Sequence, residues 1–215
     1  MTKKTDNHNL RAKLDLRRHF LQTSKEPNRV FDAFQASGRI WTQLRNEFAV
    51  ETYWGVDIEG KRGRLKIDSW KILSQPGWKE NIIDLDNYGS PWRQWMAVLE
   101  NADGDVTVFM TIGKPNPMAG GARNVSNLEL EIMGCKFKTF SSIPPTLTAK
   151  FEDDCVSFCL AQALEKFTIL DAVEADNPGG SARYIGIRLA KLAPAALRAN
   201  KQSGKPARTG GAMKE

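Results

Sequence analysis

Apolar and polar positions along the chain follow two spacings, and each spacing predicts an element. Short runs at residues 30–34, 53–58, 82–86 and 106–112 read as strands, the first of them buried. Between them the apolar residues fall at helical intervals. Ile40, Trp41, Leu44 and Phe48 mark the inner side of a helix over 37–48, and a second helix covers 92–100. The clearest helical pattern spans 151–167, where Val156, Phe158, Cys159, Leu160, Ala163 and Leu164 share a side. Leu10, Leu14, Leu16, Phe20 and Leu21 predict a short basic helix over 10–22, and Pro27 blocks its continuation. Residues 64–67 read as a short extended piece and 69–74 as a brief helix ending before Pro76-Gly77. A Pro-, Gly- and Asn-rich loop over 114–124 precedes a helix over 125–133. Strands over 168–175 and 183–190 are joined by Asp176-Asn177-Pro178-Gly179-Gly180-Ser181, a hairpin-type connection.

Alternating strands and helices predict an α/β layered sheet. The last two strands must pair antiparallel, because a parallel pair needs a crossover of about a dozen residues or more. The expected architecture is therefore a mostly parallel sheet ending in an antiparallel hairpin. Residues 1–28 form a basic N-terminal segment with its helix, 29–192 the α/β domain, and 193–215 a basic tail that is disordered by composition.

Composition narrows the setting. Hydrophobic residues make up 41% of the chain and include six tryptophans, enough for a substantial core. No apolar run approaches the ~20 residues of a membrane span, and the polar start lacks the apolar stretch of a secretory signal. The three cysteines, Cys135, Cys155 and Cys159, are too few for a disulfide scaffold, and a cytoplasmic setting is expected. His8 and His19 both lie near the N-terminus, which argues against a histidine-rich metal site; no metal is expected. Charge is unevenly placed. Residues 1–29 carry +5, residues 191–215 another +5, and the body between them −4. Basic ends of this kind fit contact with nucleic-acid phosphate, through Arg11, Lys13, Arg17 and Arg18 at one end and the tail at the other.

Three constellations carry candidate chemistry. At a strand-to-helix turn, Asp32-Ala33-Phe34-Gln35-Ala36-Ser37-Gly38 supplies small residues that let backbone approach a ligand, next to the free amides of a helix start. Gly55-Val56-Asp57 ends the second strand in a carboxylate, and Asp68-Ser69 follows the next extended piece. Ile83-Asp84-Leu85-Asp86-Asn87-Tyr88-Gly89-Ser90-Pro91 places acids, an aromatic and Gly-Ser-Pro at the tip of the strand over 82–86. Asn177-Pro178-Gly179-Gly180 lacks the Gly-Lys-Ser/Thr of a triphosphate-binding loop. Trp92 and Trp95 read as helix-to-sheet packing.

The first constellation resembles motif I of amino-directed nucleic-acid methyltransferases, with Ala33 for the usual Pro and Ala36 for the first Gly. The third resembles the Asp-Leu-Asp-Pro-Phe/Tyr-Gly-Ser-Pro signature of tRNA guanine N2-dimethyltransferases, with Asn87 for the proline. The resemblance spans residues 29–113 by motif and reaches 190 by architecture. It implies a Rossmann-like class I fold, S-adenosylmethionine as cofactor, and methyl transfer to an amino group of an RNA or DNA base. It assigns Asp32, Phe34, Ala36, Gly38, Asp57 and Asp68 to the cofactor, with Asp57 on the ribose hydroxyls and Asp68 on the adenine amine. It makes Asp86 and Tyr88 catalytic, and gives Asn87, Ser90, Pro91, Asn116 and Arg123 to the substrate. An exocyclic amine is a weak nucleophile, so an acceptor at Asp86 would orient it while Tyr88 stacks on an extruded base. Only a few residues separate Asp57 from Arg64, too few for a helical crossover. A small-molecule methyltransferase and a binding protein with a degenerate site stay open as readings.

Overall fold

The computed structural model describes residues 9–59, 65–87, 90–113, 154, 156–175 and 182–193. Six strands form one sheet in the order β2-β1-β3-β4-β6-β5: β1 Asn28–Asp32, β2 Val50–Gly55, β3 Ile82–Leu85, β4 Val106–Gly113, β5 Phe167–Glu174 and β6 Ala182–Lys191. β1 pairs parallel with β2 and β3, and β3 parallel with β4. β6 runs antiparallel between β4 and β5. The parallel sheet with an antiparallel end is thus present, and the final strand turns back into the sheet while β5 takes the edge.

Burial explains the strand sequences. β3 is buried throughout and β4 nearly so, which is why they read as unbroken apolar runs. The edge strand β5 alternates between buried or half-buried and exposed positions. Successive residues of the central strands point to opposite faces. Val30, Ile82, Phe109 and Tyr184 pack on one face with α1 (Leu10–Gln22) and α2 (Arg39–Glu47). Phe31, Ile83, Val108 and Ile185 pack on the other with α3 (Ser69–Leu73), α4 (Trp92–Asn101) and the helix at 156–163, here α5. Trp92 and Trp95 are buried there, as expected, and the Trp95 indole N–H donates to the Cys159 carbonyl at 3.0 Å.

Two features differ from the sequence reading. Of the extended piece expected at 64–67, Leu65 makes a single parallel bridge with Val56, and residue 64 lies outside the described residues. The N-terminal helix is not an exposed basic rod. Leu14, Leu16, Phe20 and Leu21 enter the same cluster as Val30 and Phe109, and Arg17 is 2% exposed. Gly186 of β6 lets α1 lie this close, since a Cβ there would run into the Phe20 ring. The expected helix over 125–133 lies outside the described residues.

Candidate active site

β1 is the strand from which neighbours leave in opposite directions, to β2 on one side and β3 on the other. In open α/β sheets ligands bind in the crevice beyond the carboxyl ends at such a point. Here the turn after β1 and the acidic tip of β3 meet. The Ala33 amide donates to the Asp84 carbonyl and the Gln35 amide to the Val56 carbonyl, both at 3.0 Å. These bonds hold the turn between its neighbouring strands. Ala36 has φ 41° and Gly38 φ 68°, so both lie in the left-handed region. Gly38 tolerates it freely; Ala36 stands where the resembled motif has glycine. Gly38 then heads α2 without a side-chain cap.

Asp57 closes the side of this turn. One carboxylate oxygen accepts from the Ala36 amide at 3.1 Å and the other from the Glu59 amide at 2.8 Å. A carboxylate has about four acceptor positions, so two stay open. Asp68 caps α3 by accepting from the Trp70 amide at 2.9 Å, and Arg93, stacked over Trp70, approaches its other oxygen at 3.9 Å. Asp32, Phe34, Ala36, Gly38 and Asp86 line one crevice together with Asp84 and the first turn of α2. Its volume is about 40 Å³. Gln35 fills the adjoining space: its side chain lies over Gly55 and donates to the Tyr53 hydroxyl at 3.1 Å. The donor set therefore suits S-adenosylmethionine, and the Gln35 side chain borders the same crevice.

The acids of the crevice are bound by groups that the sequence reading placed elsewhere. Asp84, 1% exposed, accepts from Arg17 Nε at 2.7 Å, Arg17 Nη2 at 2.5 Å and the Trp41 indole at 2.7 Å. Asp86 accepts from Lys13 Nζ at 2.6 and 2.8 Å and from the Thr111 hydroxyl at 2.6 Å. Asp32 accepts from the Tyr53 hydroxyl at 3.0 Å. Lys13 and Arg17 were expected to face phosphate; burial against Asp86 and Asp84 corrects that. Their spacing held the signal, because Lys13, Leu16, Arg17 and Phe20 fall on one helical face.

These contacts set the charges. Burial pushes Asp86 up, but the Lys13 and Arg17 cations and the hydrogen bonds hold it below the usual carboxylate range. Burial and then the neighbouring Asp84 carboxylate push Asp32 well above that range, only partly offset by Tyr53. Burial opposes the Arg17 charge, yet Asp84 holds the guanidinium above its ordinary value. Two carboxylates and two cations thus lie beside Asp32, whose own charge burial and Asp84 disfavour.

Asn87 Nδ2 donates to the Ser90 carbonyl at 2.8 Å, and the N-cap of α4 is Pro91. The Asn87 Oδ1 and Ser90 hydroxyl are buried without a hydrogen-bond partner among the described residues. Tyr88, Asn116 and Arg123 lie outside the described residues. No group of His, Cys, Asp and Glu suited to a metal occurs among the described residues, and none of their helices is long and apolar enough to cross a membrane.

No protein-family model matches the sequence, and no curated protein matches it. Among solved structures the chain is similar to Trm1 from Pyrococcus horikoshii in complex with S-adenosyl-L-methionine. That match has 14% identity and TM-score 0.55, covering 91% of this chain and 56% of that one. The N-methyltransferase NodS from Bradyrhizobium japonicum WM9, in complex with S-adenosyl-L-homocysteine, matches at 8% identity and TM-score 0.49, covering 89% and 90%. Magnesium protoporphyrin IX methyltransferase from Synechocystis PCC 6803, with the same product bound, matches at 14% and 0.47, covering 86% and 84%. The chain spans just over half the length of the Trm1 protein. Its fold is the Rossmann-like fold of class I S-adenosylmethionine-dependent methyltransferases.

Proposed function

We propose that the protein is an S-adenosylmethionine-dependent methyltransferase acting on an exocyclic amino group of a nucleic-acid base. One observation carries the reading: the turn after β1 and the acidic tip of β3 line a common crevice at the switch point, beside Asp57. The Asp84–Pro91 signature and the fold similarity to Trm1, a tRNA guanine N2-dimethyltransferase, support it from separate directions.

When bound, S-adenosylmethionine supplies the methyl group in activated form. In this reading Asp57 accepts the ribose hydroxyls with its two open positions, and the backbone of Asp32, Phe34, Ala36 and Gly38 borders the methionine portion. Asp68 meets the adenine edge. Asp86 accepts an N–H of the acceptor amine and so aims its lone pair at the methyl. Held below the usual carboxylate range, Asp86 is a poor base whose role is orientation, and the proton shed by the methylated amine would pass to solvent. Tyr88 stacks on the base, and Asn87, Ser90, Pro91, Asn116 and Arg123 contact the acceptor. The buried Asn87 Oδ1 and Ser90 hydroxyl gain partners when it binds.

A second reading, a binding protein with a degenerate site, is favoured by the small crevice and the paired acids. Calorimetry with S-adenosylmethionine, followed by transfer of a labelled methyl group to RNA, DNA and metabolites, separates the two. Asp57→Ala is expected to weaken cofactor binding by roughly 1.5–3 kcal/mol per charge-assisted hydrogen bond. Asp86→Ala should keep that affinity and lower turnover by about 10²-fold. No binding by folded wild type at millimolar cofactor sinks the enzymatic reading. Transfer to metabolites alone makes it a small-molecule enzyme.

A further inference from the structure

Asp86 is held from a distance of 73 residues by a lysine that the methyl-transfer reading does not use. Lys13 Nζ bonds both oxygens of Asp86, Thr111 of β4 bonds one of them again, and the Lys13 side chain is 9% exposed. Three of about four acceptor positions on the carboxylate are therefore taken. Among the described residues the fourth, on Oδ2, which Thr111 leaves alone, has no donor. The Lys13 ammonium also lies 5.1 Å from the centre of the Tyr184 ring, so β6 backs it from the other side. A long lysine side chain fixed at its charged end by a carboxylate and an aromatic ring has given up most of its rotamer freedom. Exposed surface ion pairs rarely justify that loss; here the pair is largely buried.

We propose that Lys13 is a positioning residue for the acceptor site: it fixes the Asp86 carboxylate so that a single acceptor position on Oδ2 is left for one N–H of the incoming amine. This rests on the methyltransferase reading. An amine held through one N–H meets the site with its lone pair in a defined direction, and Lys13 itself stays in place during the reaction. Among the described residues the titratable and charged groups around Asp86 are Lys13 and Arg17 from α1, Asp84 from β3 and Asp32 from β1, with Arg39 of α2 at the crevice lining. Of these, Lys13 alone bonds the Asp86 carboxylate, so its removal acts first on the state and orientation of Asp86.

The test follows Asp86 and catalysis side by side in the full chain. Carbon-13 NMR of aspartate-labelled protein reads the Asp86 carboxyl titration in wild type, Lys13→Met and Lys13→Gln. Steady-state methyl transfer, with calorimetry for the cofactor, is measured across pH in the same proteins. In wild type Asp86 should titrate below the ordinary carboxylate range, and in both variants its midpoint should rise by about one pH unit or more. Cofactor affinity should stay within about twofold while turnover falls by about tenfold or more at mildly acid pH, a loss that partly recovers as pH rises. Turnover and its pH profile unchanged in both variants overturn the proposal. If neither variant folds, the wild-type titration decides: a midpoint in or above the ordinary range overturns the hold of Lys13 on Asp86, and one below it sustains that hold. A wild type that binds cofactor but transfers no methyl group sinks the functional reading instead, and the shift of the Asp86 midpoint between wild type and variants then decides the hold alone.

Discussion

Three aspartates share the crevice, and each has different partners. Asp84 pairs with Arg17, Asp86 with Lys13, and Asp32 accepts from the Tyr53 hydroxyl. Asp32 holds its proton more firmly in the folded protein than in the unfolded chain, because burial and Asp84 disfavour its charge. Between the ordinary carboxylate pKa and the raised one, the folded state binds more protons, so Asp32 lowers stability as pH rises through that window. Asp32→Asn removes the titration and keeps an oxygen for the Tyr53 hydroxyl. Its stability relative to wild type is expected to increase from mildly acid to neutral pH, as read by urea denaturation. Parallel pH dependence in the two proteins would show that Asp32 is not the titrating group. Asp86 acts in the other direction. Its contribution is present above the ordinary carboxylate pKa and is lost as pH falls through its depressed value. At this scale the sequence was half legible. That Asp57 and Asp86 follow strand ends could be read, since the runs before them predict β2 and β3. The partners of the acids could not, because Lys13 and Arg17 reach them across 73 and 67 residues, beyond any local pattern.

The elements were more legible, because period and burial are properties of neighbouring residues. The runs at 82–86 and 106–112 proved buried on both faces and the terminal pair antiparallel, whereas β2, from the run at 53–58, is a half-exposed edge strand. The short link after Asp57 was legible; that Leu65 pairs with Val56 by a single bridge was not. The position of α1 also escaped, because cations on its inner face disguised an amphipathic helix as a basic one. Its seating is decided by Phe20, which packs edge-on against Phe109 with ring centres 5.5 Å apart and covers Gly186. Arg188 of β6 holds the end of the same helix, donating to the Phe20 carbonyl at 2.6 Å. Gly186→Ala places a methyl group against the buried Phe20 ring in a strand whose backbone cannot retreat. The expected destabilisation is about 1–3 kcal/mol, the usual range for overpacking. Hydrogen exchange should show it concentrated in α1, and full protection of α1 in a folded Gly186→Ala protein would mean that Phe20 is not its anchor.

At the scale of the molecule the question is where the positive charge is free to act. The sequence places +5 at each end, but α1 spends most of its share internally. Arg17 and Lys13 pair with the crevice acids, while Arg18 pairs with Glu47 and Asp15. The tail at 193–215 contributes Arg198, Lys201, Lys205, Arg208 and Lys214 from a stretch with no packing pattern. If the acceptor is a nucleic acid, the two ends should therefore behave differently. Deleting 193–215 should leave cofactor binding unchanged and flatten the salt dependence of nucleic-acid affinity, by about 0.7–0.9 in log–log slope for each phosphate that the tail had neutralised. Arg17→Ala should act on folding instead. It leaves the Asp84 carboxylate buried and unpaired, a change that typically removes about 3–5 kcal/mol of stability. Arg18→Ala breaks only partly exposed pairs, so its effect on stability should be within about 1 kcal/mol. Nucleic-acid affinity at several salt concentrations, with denaturation of each variant, reads both effects. A slope that falls on removing Arg17 but not on removing the tail would reverse the assignment, because it would mean that α1 leaves the sheet to meet the phosphates. Equal slopes for wild type and the tail deletion would mean that the tail neutralises no phosphate.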